Sequence, residues 1–159
     1  MSDTEQLRDF FFEAALVTYA GDGEKIPSEE IAPGFKGYRY VRGNHVYVDK
    51  YAVNGSGSFG QTVIWLDDRP TWFMQYNGFC HDKRAVAVVK QALREAYSRR
   101  LFIGGRGIKN LRVLDLSYGN SGGDTFYRFN GSDWVTDHAD GKDAMIFWHD
   151  YRGGLVLKP

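Results

Sequence analysis

Hydrophobic positions change their period along the chain. Between Asp3 and Tyr19 they recur at helical intervals: Leu7, Phe10, Phe11, Ala14 and Val17 form one stripe, and Phe12, Leu16 and Tyr19 widen it. Ser2 and Glu5 have capping-box spacing, which predicts the start of this helix. Its apolar face is too wide for one sheet to cover, so a loop or a partner is expected on the other side. Gly21, Gly23, Pro27, Pro33 and Gly34 then punctuate a polar stretch that reads as a long loop. After it the period becomes two. Strands are predicted over 37–42, 45–53, 60–66 and 71–76, with Gly43-Asn44 and Asp67-Asp68-Arg69-Pro70 as turns. Connections this short make antiparallel hairpins.

A second helix is predicted over 82–99, with Asp82 as its cap and Val86, Val89, Leu93, Ala96 and Tyr97 on one face. Strand patterns return at 111–118, 125–129, 133–136, 144–148 and 155–157, separated by glycine-rich turns. Helix followed by meander thus occurs twice. Tyr38-Arg39-Tyr40 with Gly43-Asn44 and Asp49 resembles Tyr127-Arg128-Phe129 with Gly131-Ser132 and Asp137, and Ile64-Trp65-Leu66 resembles Ile146-Phe147-Trp148. The expectation is a single α+β domain over 1–159, two helices packed on antiparallel meanders. A possible internal duplication would have repeats at 3–78 and 82–158 and a cleft where they meet, although hairpins share turn chemistry without common origin.

Composition narrows the class. At 159 residues, with 43% hydrophobic and 16% aromatic residues, the chain can bury a core and is not a disordered polymer. Twenty basic and twenty acidic side chains give no net charge, so the overall field that draws proteins to nucleic acid or anionic membranes is missing and a nucleic-acid partner is not expected. One cysteine, Cys80, excludes an internal disulfide and Cys-pair metal clusters. The acidic N-terminus has no apolar signal core, and no apolar run reaches the roughly 18 residues of a membrane span. A cytoplasmic protein without a membrane partner is expected.

Several short patterns match a known family. Phe11-Phe12-Glu13-Ala14 leading to Thr18-Tyr19-Ala20-Gly21 is followed by Tyr40, Gly43, Tyr47, Asp49 and Tyr51, then Phe59-Gly60-Gln61 and the run from Pro70 to Gly78. Phe102, Arg106-Gly107 and the segment from Asp143 to Leu157 with its Gly-Gly pair continue the order. Together these resemble the uncharacterised bacterial family called domain of unknown function 5680. Its members are often joined to a helix-turn-helix of the XRE repressor type, which implies a sensing or effector-binding role; with the similarity beginning within the first helix, no such module is expected before it here. Gln61 stands where that family tends to carry Glu, and Tyr151-Arg152 where Tyr-His is typical.

Alternation puts His45, Tyr47, Asp49 and Tyr51 on one strand face and Trp72, Met74 and Tyr76 on another. Aromatic walls with a few placed polar groups suit a small-molecule pocket, so Tyr47, Asp49, Tyr51, Trp72 and Tyr76 are the expected ligand-binding residues; the same pattern also fits an aromatic core. An alternative is a small enzyme using Asp49 or a histidine as acid or base. Cys80-His81-Asp82 is a poor catalytic triad because consecutive side chains diverge at a strand-to-helix junction. His45, His81, His138 and His149 show no helical metal-ligand pair, and the Gly55 to Gly60 loop lacks the Lys-Ser/Thr ending of a phosphate cradle; no metal or cofactor is expected. From Lys83 to Arg112 nine basic residues face Glu95 alone. Lys83, Lys90 and Arg94, opposite the apolar face of their helix, are expected to reach solvent as a protein-partner surface, or else to balance the acidic C-terminal half. The leading expectation is a non-catalytic domain that binds a small molecule or a protein partner.

Overall fold

A computed structural model describes residues 2–27 and 30–156. The first helix, α1 (Asp3–Val17), begins with the expected capping box: Ser2 Oγ accepts from the Glu5 amide and Glu5 Oε2 accepts from the Ser2 amide. Leu7, Phe10, Phe11, Phe12, Ala14 and Ala15 are buried along it, whereas Val17 lies half exposed at its end and is not part of the stripe. Four strands follow, β1 (Phe35–Arg42), β2 (His45–Asn54), β3 (Gly57–Leu66) and β4 (Arg69–Cys80). The second helix, α2 (Arg84–Ser98), leads into β5 (Asn110–Val113), β6 (Leu116–Asn120), β7 (Arg128–Asp137) and β8 (Ala144–Leu155). The N-cap position of α2 is Lys83, which makes no side-chain cap bond; Asp82, the expected cap, lies one residue before it, and its Oδ1 accepts from the Arg84 amide at 2.8 Å.

All strands join one antiparallel sheet in the order β1-β2-β3-β4-β8-β7-β6-β5. Each helix is followed by its own four-strand meander, and the meanders meet where β4 pairs with β8. The α1 helix packs on β1 and β2, α2 on β5, β6 and β7, and the helices touch each other. The wide face of α1 is thereby covered from within: Phe11 meets Trp72 at 5.1 Å and Phe12 meets Tyr97 of α2 at 6.3 Å between ring centroids. Trp72 stacks on Phe126 and Phe129 at the centre of the core.

Several predicted breaks are continuous or displaced. Asp67 and Asp68 both adopt positive φ and close a two-residue hairpin, so Arg69 and Pro70 pair with Leu66 and Trp65 and belong to β4. Pro70 sits where the register shifts, a place where its missing amide is tolerated. The predicted strand 111–118 is a hairpin folded at Leu114-Asp115, with Leu114 at positive φ and exposed. Gly131-Ser132, read as a turn, lies inside β7; a side chain at Gly131 would meet the Tyr151 hydroxyl at 2.5 Å, so close approach explains this glycine. Strands 144–148 and 155–157 are one strand through Gly153-Gly154, and the last predicted residue, Leu157, lies outside the described residues. The residue matches used above for a duplication therefore join β1 to β7 and β3 to β8, which hold different places in their meanders.

Candidate functional site

In β2 the alternation holds: Tyr47 and Asp49 are buried on the helix-facing side, and Tyr51 continues that face toward the edge. Antiparallel register sets Asp49 opposite Thr62 of β3, which is opposite Met74 of β4, with Tyr76 two residues further on. Asp49 Oδ1 consequently accepts hydrogen bonds from Tyr76 Oη at 2.7 Å and Thr62 Oγ1 at 3.0 Å. Burial pushes the Asp49 carboxyl up from its ordinary value against the opposing effect of these two bonds. Tyr47 and Tyr76 are raised well above the usual phenol range, both chiefly by burial, so each hydroxyl remains a donor at neutral pH.

These residues border a cavity of about 550 Å³ between the first meander and α2. Tyr19 and Tyr51 meet edge to face at 5.9 Å on one side of it, and Leu93 and Tyr97 of α2 close the other. Met74 belongs to its wall. Trp72 does not: its ring is fully buried in the core and its Nε1 donates to the Phe126 carbonyl at 3.2 Å. The sequence pattern put Trp72 and Tyr76 on the same face correctly, but the two-residue step from Trp72 to Met74 is enough to pass from core to cavity wall.

Two further cavity residues come from the second unit. Arg106 enters from the loop after α2, binds Asp133 through Nε at 3.0 Å and lies 5.8 Å from the Tyr76 ring centre. Asp133 is wholly buried, and Tyr118 Oη donates to the same carboxylate oxygen. His149 of β8 reaches across β4 to Ser58 of β3, Nε2 to Oγ 2.8 Å. Gly78 makes this reach possible, because a Cβ there would stand 2.8 Å from the imidazole. Burial, aided by the Arg106 charge, lowers the His149 pKa to about 3, and Nδ1 has no hydrogen-bond partner among the described residues. Neither residue was among the expected ligand contacts. Alternation along β8, which sets Phe147, His149 and Tyr151 on one face, was the available signal for His149; no local pattern marks Arg106 among its basic neighbours.

The expected partner surface is largely used by the chain itself. Lys90 pairs with Asp22 and lies over the Tyr19 ring at 4.7 Å, and Arg94 donates to the Ala20 carbonyl at 2.9 Å. Lys83 and Arg94 are exposed and neither makes an ion pair among the described residues; of the two, Lys83 lies at the cavity mouth. Cys80 also lines the cavity, with its thiol donating to the Asp82 carbonyl and its pKa raised by burial. No group of three His, Cys, Asp or Glu side chains that could hold a metal is present among the described residues, nor any helix long and apolar enough to cross a membrane.

The opposite face of the sheet carries a second concavity of about 730 Å³. Gln61 and Arg152, the two positions that differ from the family pattern, lie there in one row with Gln75 between them. The helices leave this face uncovered, and the buried Tyr151 and half-buried Tyr76 border it together with the exposed or half-buried Lys50, Asp150 and Arg152. Residues 49–156, more than half of the chain, match the family described as Domain of unknown function (DUF5680). The match begins at Asp49 and so omits α1, β1 and the first part of β2, where the resemblance also held residues. No curated protein and no solved structure matches the chain.

Proposed function

We propose that this chain, which belongs to the DUF5680 family, is a non-catalytic small-ligand binding domain whose site is the cavity between the first meander and α2. The observation that carries this reading is the convergence of Tyr47, Asp49, Tyr51 and Tyr76 with Arg106 and His149 around one 550 Å³ space. That volume is in the range of small-molecule sites, where apolar walls supply affinity and a few polar groups set orientation. The enzyme alternative has one feature in its favour, the raised pKa of Asp49. It has no partner base: Asp49 Oδ1 is held by Tyr76 and Thr62, and a histidine as weakly basic as His149 accepts a proton poorly at neutral pH. We further propose, as the family resemblance implies, a role coupled to a bacterial XRE-type regulator, and a duplicated helix-and-meander ancestor is our reading of the repeated architecture.

A thermal-shift screen with small metabolites tests the proposal. A cavity ligand raises the melting temperature in a concentration-dependent way, does so less for Asp49→Asn, and is recovered unchanged by mass spectrometry. A ligand recovered chemically altered would favour the enzyme reading. Shifts identical in Asp49→Asn and in the unsubstituted chain would place binding elsewhere.

A further inference from the structure

Charge around the cavity is lopsided. Lys25, Lys36, Lys83, Lys90 and Arg106 line it, against Asp49 as its one carboxylate among the described lining residues. In a chain whose charges balance at twenty each, this is a local cationic excess. Asp22 answers Lys90 and Asp133 answers Arg106, but no described carboxylate pairs with Lys25, Lys36 or Lys83. Those three are exposed at the mouth, whereas Arg106 is buried. The deep wall is apolar and phenolic, with Tyr47, Met74, Leu93 and Tyr97 buried.

Resting on the cavity reading above, we propose that the ligand is a small organic anion, with an aromatic body against this deep wall and a carboxylate or phosphate at the lysine mouth. The arrangement divides the work physically. Ammonium groups at an exposed mouth attract an anion over about a Debye length, roughly 10 Å at moderate salt, and keep its acid group partly hydrated. Inside, aromatic rings supply apolar contact and phenol hydroxyls orient the body.

The test uses the full chain and three matched probes, 2-naphthoate, 2-naphthyl phosphate and uncharged 2-naphthol, measured by titration calorimetry. Maleimide labelling of Cys80, the chain's one cysteine and a lining residue, reports whether the cavity is filled. The variant is the triple Lys25→Gln, Lys36→Gln, Lys83→Gln, with circular dichroism verifying its fold. At least one anion should bind about tenfold or more tightly than naphthol and slow Cys80 labelling. That margin should shrink in the triple variant and as salt rises from about 20 to about 300 mM. Preference for naphthoate or for the phosphate then identifies the acid group. Naphthol binding as tightly as both anions while protecting Cys80 overturns the anion class and leaves the cavity reading standing. An anion that binds without protecting Cys80 overturns the proposal, as does a margin unchanged in the triple variant. Failure of all three probes to bind overturns the proposal and the cavity reading together.

Discussion

His149 is 8% exposed, its Nδ1 has no hydrogen-bond partner among the described residues, and the Arg106 cation contributes to its low basicity, so adding a proton to the folded chain is costly. The folded pKa of about 3 lies below the ordinary 6.5. Between these values the unfolded chain holds the extra proton, so stability is highest above about pH 6.5 and falls as the solution is acidified toward pH 3. At about 1.4 kcal/mol for each tenfold in protonation, the whole loss is roughly 5 kcal/mol, and about 2 kcal/mol of it is reached at pH 5. Urea unfolding of the unsubstituted chain and of His149→Gln, each at about pH 8 and about pH 5, isolates this effect because the other titrating groups are common to both. The unsubstituted chain should lose about 2 kcal/mol more than the variant on going to pH 5. Equal losses, or an imidazole resonance assigned to His149 that titrates near its ordinary value, would refute the reasoning.

Phe11→Ala should cost about 3–5 kcal/mol in denaturant unfolding, because its ring meets Trp72, Tyr97, Phe102 and Phe126 in the core; a loss below about 1 kcal/mol would contradict that packing. Gly78→Ala should destabilise by at least about 2 kcal/mol, since the added Cβ would stand 1.8 Å from the Trp148 carbonyl oxygen, and a near-neutral melting temperature would show that the sheet yields there. Arg106→Met leaves the wholly buried Asp133 without its cation and should cost about 3–5 kcal/mol, with partial recovery on adding Asp133→Leu; no recovery would mean that the loss comes from packing.

The local pattern was sufficient where one element carries its own signal. Ser2 and Glu5 cap α1 through bonds within four residues, and alternation in β2 assigns Tyr47 and Asp49 to a common face whatever lies across from it. Glycine was ambiguous for a physical reason. Gly43 permits a turn at positive φ, whereas Gly131 and Gly78 leave room for Tyr151 and for the His149 reach to Ser58, and these uses look alike in sequence because the occupying group is distant along the chain. The alternation also could not say where along a face packing ends and a cavity begins: Trp72 and Tyr76 share a side, but Phe126 and Phe129 fill the space at one and not the other. Arg106 became a cavity residue only when the sheet brought Asp133 to it from 27 positions away. Local covalent geometry thus set the face of each side chain, while long-range pairing of β4 with β8 decided which faces enclose a common space.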